Sequence, residues 1–167
     1  MRRSGIIVLN VFAALWAILA LISAHQPWWE MLFPAFLSIG VINWAIMRTT
    51  GDPAPDPAVR KRSVRLIAIA STVEGVLIVI AANIMINIGR PDLTIAAIAV
   101  VVGLHFWPLA WGLKVPLYWT TGLLLALVGI GGALGMTEPL RDVAIAFACA
   151  IILWLSACAV VLSPRKA

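Results

Sequence analysis

Long apolar runs, separated by short breaks that are polar or contain proline, dominate the pattern of this chain. A helix crosses the roughly 30 Å hydrocarbon layer of a bilayer with about 20 residues. The pattern predicts six transmembrane helices, over residues 5–24, 30–48, 64–88, 93–113, 117–136 and 142–163. We therefore expect an all-α integral membrane protein in which residues 1–167 form a single domain of three helical hairpins.

The connection between the second and third runs, residues 49–63, is the one long break. It carries three prolines and the basic sequence Arg60-Lys61-Arg62. Proline removes a backbone donor, and polar, charged sequence gives little apolar surface to bury. This link is expected to be an extended cytoplasmic connection.

Composition supports the membrane class, because 63% of the residues are hydrophobic and only 11% are charged, which is too apolar for a soluble domain. Lys and Arg are retained on the cytoplasmic side during insertion. Of the twelve basic residues, only Arg90 and Arg141 fall in loops on the side away from the termini. The others are Arg2, Arg3, Arg48, Arg60, Lys61, Arg62, Arg65, Lys114, Arg165 and Lys166. This asymmetry predicts that both termini are cytoplasmic, in a multi-pass protein of the cell inner membrane.

The net charge of +5 follows from that topology and does not indicate a nucleic-acid partner. The predicted partner is the bilayer, with anionic lipid at its cytoplasmic face. Arg60, Lys61, Arg62 and Arg65 are candidates for binding a lipid headgroup, and topology alone is the alternative explanation. The first apolar run could also be a signal peptide, although it is longer than the usual core of about 7 to 15 residues.

The three predicted hairpins share a weak internal pattern. Pro27, Pro91 and Pro139 each follow an odd helix, and each even helix then carries a small residue four positions before a tryptophan. These pairs are Gly40 and Trp44, Gly103 and Trp107, and Ala150 and Trp154, followed by Pro53, Pro116 and Pro164. A threefold array would bury the small-residue faces centrally. Three two-helix units with a proline after each first helix resemble the HdeD-like acid-resistance membrane proteins, a resemblance that implies six helices and a stress-related role.

Two ionisable side chains, Glu74 and His105, lie deep in the predicted spans. At 1.5 Å per residue, Glu74 lies about 13 Å from the inner edge and His105 about 18 Å from the outer edge of the roughly 30 Å layer. Asn43 falls at nearly the same depth, and Ser71 lies one turn from Glu74. These four residues are the ligand-binding or proton-binding candidates, and helices 2, 3 and 4 are expected to converge there. Helix 3 carries polar residues on two faces and is expected to be packed by protein on both sides.

Buried charges in a bilayer are costly and often functional. Glu74 and His105 can form a proton-binding pair, or they can simply tie helices together by hydrogen bonds. Pro108 cannot donate a bond to the carbonyl of Leu104, so helix 4 is expected to kink there. That kink is a hinge or a static bend.

Signatures of metal, thiol, serine-hydrolase and nucleotide chemistry are missing from the sequence. We expect no metal site, no cofactor and no catalytic residues. The leading hypothesis is a non-enzymatic protein, a structural or stress-related component or a compact transporter, that acts as a homo-oligomer. The alternatives are a proton-linked small transporter or a substrate-binding membrane subunit of a larger transporter, using Glu74, His105 and Asn43, and, least favoured, an intramembrane enzyme.

Overall fold

The computed structural model describes residues 2–50, 56–138 and 140–163, and within these ranges it contains six α-helices. The helices are α1 Arg2–Ser23, α2 Leu32–Thr49, α3 Pro57–Asn87, α4 Thr94–Leu113, α5 Leu117–Gly135 and α6 Leu140–Leu162. Short 3-10 turns, Trp28–Met31 and Pro91–Leu93, precede α2 and α4. All six helices are long and apolar enough to cross a membrane, which confirms the all-α prediction.

The prediction of an extended link over residues 49–63 is wrong for its second half, because α3 begins at Pro57. The Asp56 carboxylate accepts a hydrogen bond of 2.7 Å from the Ala58 backbone nitrogen, and proline at the first helical position needs no donor. These two signals start the helix seven residues before the apolar run. The basic residues from Arg60 onward therefore lie on a helix. Residues 51–55 lie outside the described part of the chain.

Four helices, α4, α5, α6 and α1, form the centre of the bundle in that spatial order. Alanine and glycine allow their backbones to approach closely. A Cβ atom added to Gly103 would lie 2.6 Å from the Gly122 carbonyl oxygen and 2.7 Å from the Ala126 nitrogen. The contact between α4 and α5 thus depends on glycine at position 103 of α4 and at position 122 of α5.

The other two helices lie at the edges, since α3 packs chiefly on α4, and α2 packs on α1 and α6. The expected threefold array is not the observed packing: Gly103 and Ala150 are buried, but Gly40 is exposed with open space beside it. Helix α3 is likewise packed on one side only, and Ala70 and Glu74 are its buried residues. The prediction of protein on both sides of α3 is wrong for the single chain. Pro53, Pro139, Pro164, Arg165 and Lys166 lie outside the described residues.

The helices of the bundle run between two ends, which we call the terminal end and the distal end. The terminal end is where α1, α3 and α5 begin, and there the Tyr118 hydroxyl lies beside Gly5. The distal end is where these helices end, and there Arg141 contacts Asp92. Many large apolar side chains on the outer helix faces are exposed, which is consistent with contact to lipid.

Candidate functional site

Glu74 lies on the narrow stripe by which α3 contacts the rest of the molecule. The stripe recurs every four residues through Leu66, Ala70, Glu74 and Ile78, as expected for one face of an α-helix. Its neighbours outside the stripe are mostly exposed, but the Glu74 side chain is only 6% exposed. The carboxyl group is therefore turned toward α4 instead of toward lipid.

His105 meets this carboxyl from α4. Its Nε2 atom lies 3.6 Å from Oε2 of Glu74, and its side chain is 10% exposed. The imidazole also interacts with the backbone carbonyl of Ala70, one turn before Glu74. The distance of 3.6 Å is just beyond direct hydrogen bonding. The contact between Glu74 and His105 that the depth arithmetic predicted is thus present.

The pair lies near the middle of both helices. Glu74 is 13 residues, or about 20 Å, before the end of α3 at Asn87, and His105 is 11 residues, or about 16 Å, after the start of α4. Water at that depth is scarce, so a single unpaired charge is costly. A carboxyl and an imidazole that share one proton keep a net charge of zero, whichever group holds the proton.

Asn43 does not join the pair, and the expected convergence of α2, α3 and α4 is wrong. Asn43 is exposed on α2, which packs against α1 and α6. Ser71 is also exposed, at the margin of the α3 stripe. The depth arithmetic predicted the contact between Glu74 and His105, but an estimated depth does not specify which helices are neighbours.

Pro108 lies inside α4, on an exposed side of the helix. The helix continues through it to Leu113. A hinge role for Pro108 stays a prediction.

A second charged cluster, which the sequence interpretation missed, surrounds Arg141 at the distal end. The Arg141 side chain is only 4% exposed and donates to the backbone carbonyl of Asp92. Its Nη2 atom lies 3.2 Å from Oδ2 of Asp92 and 3.4 Å from Oε1 of Glu138, and its Nε atom lies 3.6 Å from Oδ1 of Asp142. Asp92 also forms a two-bond ion pair with Arg90, at 3.0 Å for each bond, and this partner raises the pKa of the exposed Arg90 guanidinium. The cluster holds the connection before α4 against the start of α6.

The sequence interpretation had treated Arg90 and Arg141 only as loop charges. The available signal was the position of oppositely charged residues directly before two even helices, Asp92 near Arg90 and Glu138 near Arg141. Because three hairpin connections meet at one end of a bundle, such charges face one another.

Hydrogen bonds between neutral side chains form a third feature that was missed. Ser38 donates to the Asn10 carbonyl at 3.0 Å and accepts from the Trp154 indole at 3.0 Å, which joins α1, α2 and α6. Thr121 and Ser156 share a buried hydrogen bond of 2.8 Å between α5 and α6. Asn10 is fully buried, and its Oδ1 atom has no hydrogen-bond partner among the described residues. In the sequence, the signal for these hydrogen bonds was Asn10, a lone asparagine in an apolar run.

Within the described ranges, no three His, Cys, Asp or Glu side chains are grouped closely enough to hold a metal ion. Cys149 is buried and Cys158 is half-buried, and both are free thiols.

The fold and its lipid-compatible surface define a multi-pass α-helical membrane protein. The chain belongs to the family of unknown function DUF7010, which matches residues 56–163. This match begins at the capping residue of α3 and ends just after α6, so Glu74, His105 and Arg141 all lie inside it. No curated protein matches the chain, and no solved structure does.

Proposed function

We propose that this protein is a non-enzymatic, proton-linked membrane protein of the small-transporter type, in which Glu74 and His105 hold an exchangeable proton. The observation that supports this proposal is the 3.6 Å approach of two nearly buried ionisable groups from two membrane helices. A carboxyl within hydrocarbon is an expensive way to join helices. An imidazole is the side chain best suited to exchange protons near neutral pH.

The chemistry of the pair is a proton equilibrium with three forms. With one proton, the pair is neutral as a carboxylic acid beside an imidazole, or as a carboxylate beside an imidazolium. Gain of a second proton gives a net positive pair, and loss of the first gives a net negative pair. Both net charges are unfavourable in a low-dielectric setting, so a change of protonation favours a rearrangement that admits water or a counter-ion.

The packing of α3 provides an element able to rearrange. Helix α3 contacts the bundle chiefly through the stripe that contains Glu74, whereas α4 is held on its other side by α5. A change in charge at the pair therefore acts on the contact between α3 and α4, which is the smaller of the two large interfaces of α4. Movement of α3 against α4 is the conformational step that we propose for proton coupling.

The finer parts of the assignment belong to the same proposal. We place the protein in the cell inner membrane with both termini in the cytoplasm, because the sequence assigns ten of the twelve basic residues to the terminal end. We also propose a homo-oligomer, because the exposed Gly40 on α2 has open space beside it and would let a helix of a second copy approach closely.

Proton flux into proteoliposomes tests the proposal. The wild-type protein, Glu74→Gln and His105→Gln are reconstituted with a trapped pH-sensitive dye, and the external pH is lowered while the membrane potential is clamped. We expect acidification faster than in protein-free vesicles for the wild type and slower acidification for both variants. Glu30→Gln and His25→Gln, which alter exposed residues near the distal end, serve as matched controls and should behave as the wild type. Equal flux in wild type and Glu74→Gln would contradict proton conduction through the pair.

The second candidate is a structural or stress-related membrane component, in line with the resemblance to the HdeD-like proteins. Its support is the same contact, because Glu74 is the one charged group on the buried stripe of α3 and can act as a static tie to α4. In that case Glu74→Gln, which keeps the hydrogen-bonding capacity of the side chain, leaves the proton flux unaltered. The stability of this variant is then independent of pH.

A further inference from the structure

The first turns of α3 extend beyond the end of the helix on which α3 packs. Helix α3 has 31 residues, or about 46 Å, which exceeds the roughly 30 Å hydrocarbon layer. The Leu66 side chain fills the space beside Gly112, in the last turn of α4. Residues 57–65 therefore stand about 13 Å past the end of α4.

The basic residues in this extension are distributed unevenly around the helix. At 100° per residue, Ser63 lies on the same side as Ala70 and Glu74, which face α4. Lys61, Arg62 and Arg65 fall within an arc of about 100° on the opposite side. All three are exposed. Arg60 falls outside this arc, so only three of the four clustered cations face away from the bundle together.

The same side of α3 is apolar where the helix enters the membrane. Ile69, Val73 and Val76 continue below the arc, and each is more than half exposed, at 54%, 52% and 55%. A group of cations at the headgroup level, directly above a lipid-facing apolar surface, matches the two parts of a phospholipid. Its phosphate meets the cations, and its acyl chains lie along the helix.

We propose that Lys61, Arg62 and Arg65 bind the headgroup of an anionic phospholipid at the outer side of α3. The two guanidinium groups suit the phosphate oxygens through paired hydrogen bonds, and Lys61 adds a point charge. Asp56 caps the start of this helix, where its carboxylate accepts a hydrogen bond from the Ala58 backbone nitrogen. It falls on the side of α3 that faces α4, away from the arc. This site is independent of proton binding by Glu74 and His105.

Native mass spectrometry of the full chain, extracted with mixed phosphatidylglycerol and phosphatidylcholine, tests the site. The variant Lys61→Gln/Arg62→Gln/Arg65→Gln removes the arc. A control, Arg48→Gln/Arg60→Gln/Lys114→Asn, removes three exposed positive charges from the same end without touching the arc. Both variants carry the same net charge, so nonspecific attraction of anionic lipid is reduced equally. Size-exclusion chromatography and circular dichroism verify that both are folded.

We expect the wild type and the control to retain bound phosphatidylglycerol in preference to phosphatidylcholine. At about 1 kcal/mol for each basic residue near an anionic surface, loss of three cations weakens headgroup binding roughly 100-fold. The arc variant should therefore lose its retained phosphatidylglycerol. If both variants lose the same amount of phosphatidylglycerol, the lipid is held by nonspecific electrostatic attraction and the proposal is overturned. Equal retention of phosphatidylglycerol and phosphatidylcholine by the wild type would also overturn it.

Discussion

At the scale of single residues, hydrocarbon raises the cost of every polar side chain that lacks a partner. Ser38, Thr121 and Ser156 have hydrogen-bond partners in the backbone or in one another. The Asn10 amide donates to the Ile6 carbonyl, but its Oδ1 atom has no partner among the described residues. Glu74 and His105 differ from them because both can change charge. The consequence of their contact is that stability and protonation are coupled.

A double-mutant cycle measures that coupling. Glu74→Gln, His105→Gln and the double variant are unfolded in detergent mixtures, and their free energies of unfolding are compared. Residues in direct contact couple by roughly 0.5–3 kcal/mol, and we expect about 1 kcal/mol here. The exposed distal-end pair Glu30→Gln and His25→Gln should be additive. Additive losses at Glu74 and His105 would mean that the two groups do not interact energetically.

Glycine at the contact between α4 and α5 gives a second prediction for single residues. A Cβ atom on Gly122 would lie 2.5 Å from the Gly103 carbonyl oxygen and 2.9 Å from the Phe106 Cβ atom. Gly122→Ala should therefore cost about 1–3 kcal/mol through overpacking. Gly131, on the same helix, has open space around it, so Gly131→Ala is the matched control and should be neutral or slightly stabilising. Equal unfolding temperatures for the two variants would contradict this packing.

At the scale of elements, α4 is held at three levels. Arg141 fixes its distal end through Asp92, the Glu74 contact holds its middle to α3, and glycines join it to α5. The lengths and order of these elements were predictable, because hydrophobic runs of bilayer length determine them. The start of α3 was not predicted correctly, since the capping signal of Asp56 and Pro57 was judged as loop composition.

Removal of Arg141 tests the distal fastening. Arg141→Met keeps an unbranched apolar stem but leaves the Asp92 carbonyl and the carboxylates of Asp92, Glu138 and Asp142 without their buried cationic partner. Hydrogen bonds to charged groups contribute about 1.5–3 kcal/mol, so we expect a loss of about 2 kcal/mol in the free energy of unfolding. Arg90→Gln, which removes only an exposed ion pair, should change the unfolding temperature little. A loss of stability for Arg90→Gln as large as that for Arg141→Met would contradict the claim that Arg141 is the arginine that holds the distal end of α4.

At the scale of the whole molecule, lateral neighbours were the part that the sequence could not predict. Helix rise places Glu74 and His105 at one depth, and α3 and α4 are joined by a short connection, so their contact was predictable. Asn43 has nearly the same depth, yet α2 packs on the far side of the bundle. Depth and topology restrict the choice of neighbours, but the packing of glycine and alanine faces decides between them.

Orientation in the membrane is a prediction for the whole molecule. With both termini cytoplasmic, Lys61→Cys at the terminal end should react with a membrane-impermeant maleimide only after the cells are permeabilised. Gln26→Cys at the distal end should react in intact cells. Cys149→Ala/Cys158→Ala provides the background for both. The reverse pattern of labelling would invert the topology.

Infrared difference spectroscopy of the reconstituted protein tests the central proposal most directly, because a protonated carboxylic acid in an apolar setting has its own carbonyl band. The spectrum is recorded across a pH titration in the wild type, Glu74→Gln, His105→Gln and Glu30→Gln. We predict a pH-dependent carboxylic acid band that is present in the wild type and Glu30→Gln, is absent in Glu74→Gln, and is shifted in its titration by His105→Gln. A band that persists in Glu74→Gln, or one that His105→Gln leaves unchanged, would contradict a shared proton at this pair.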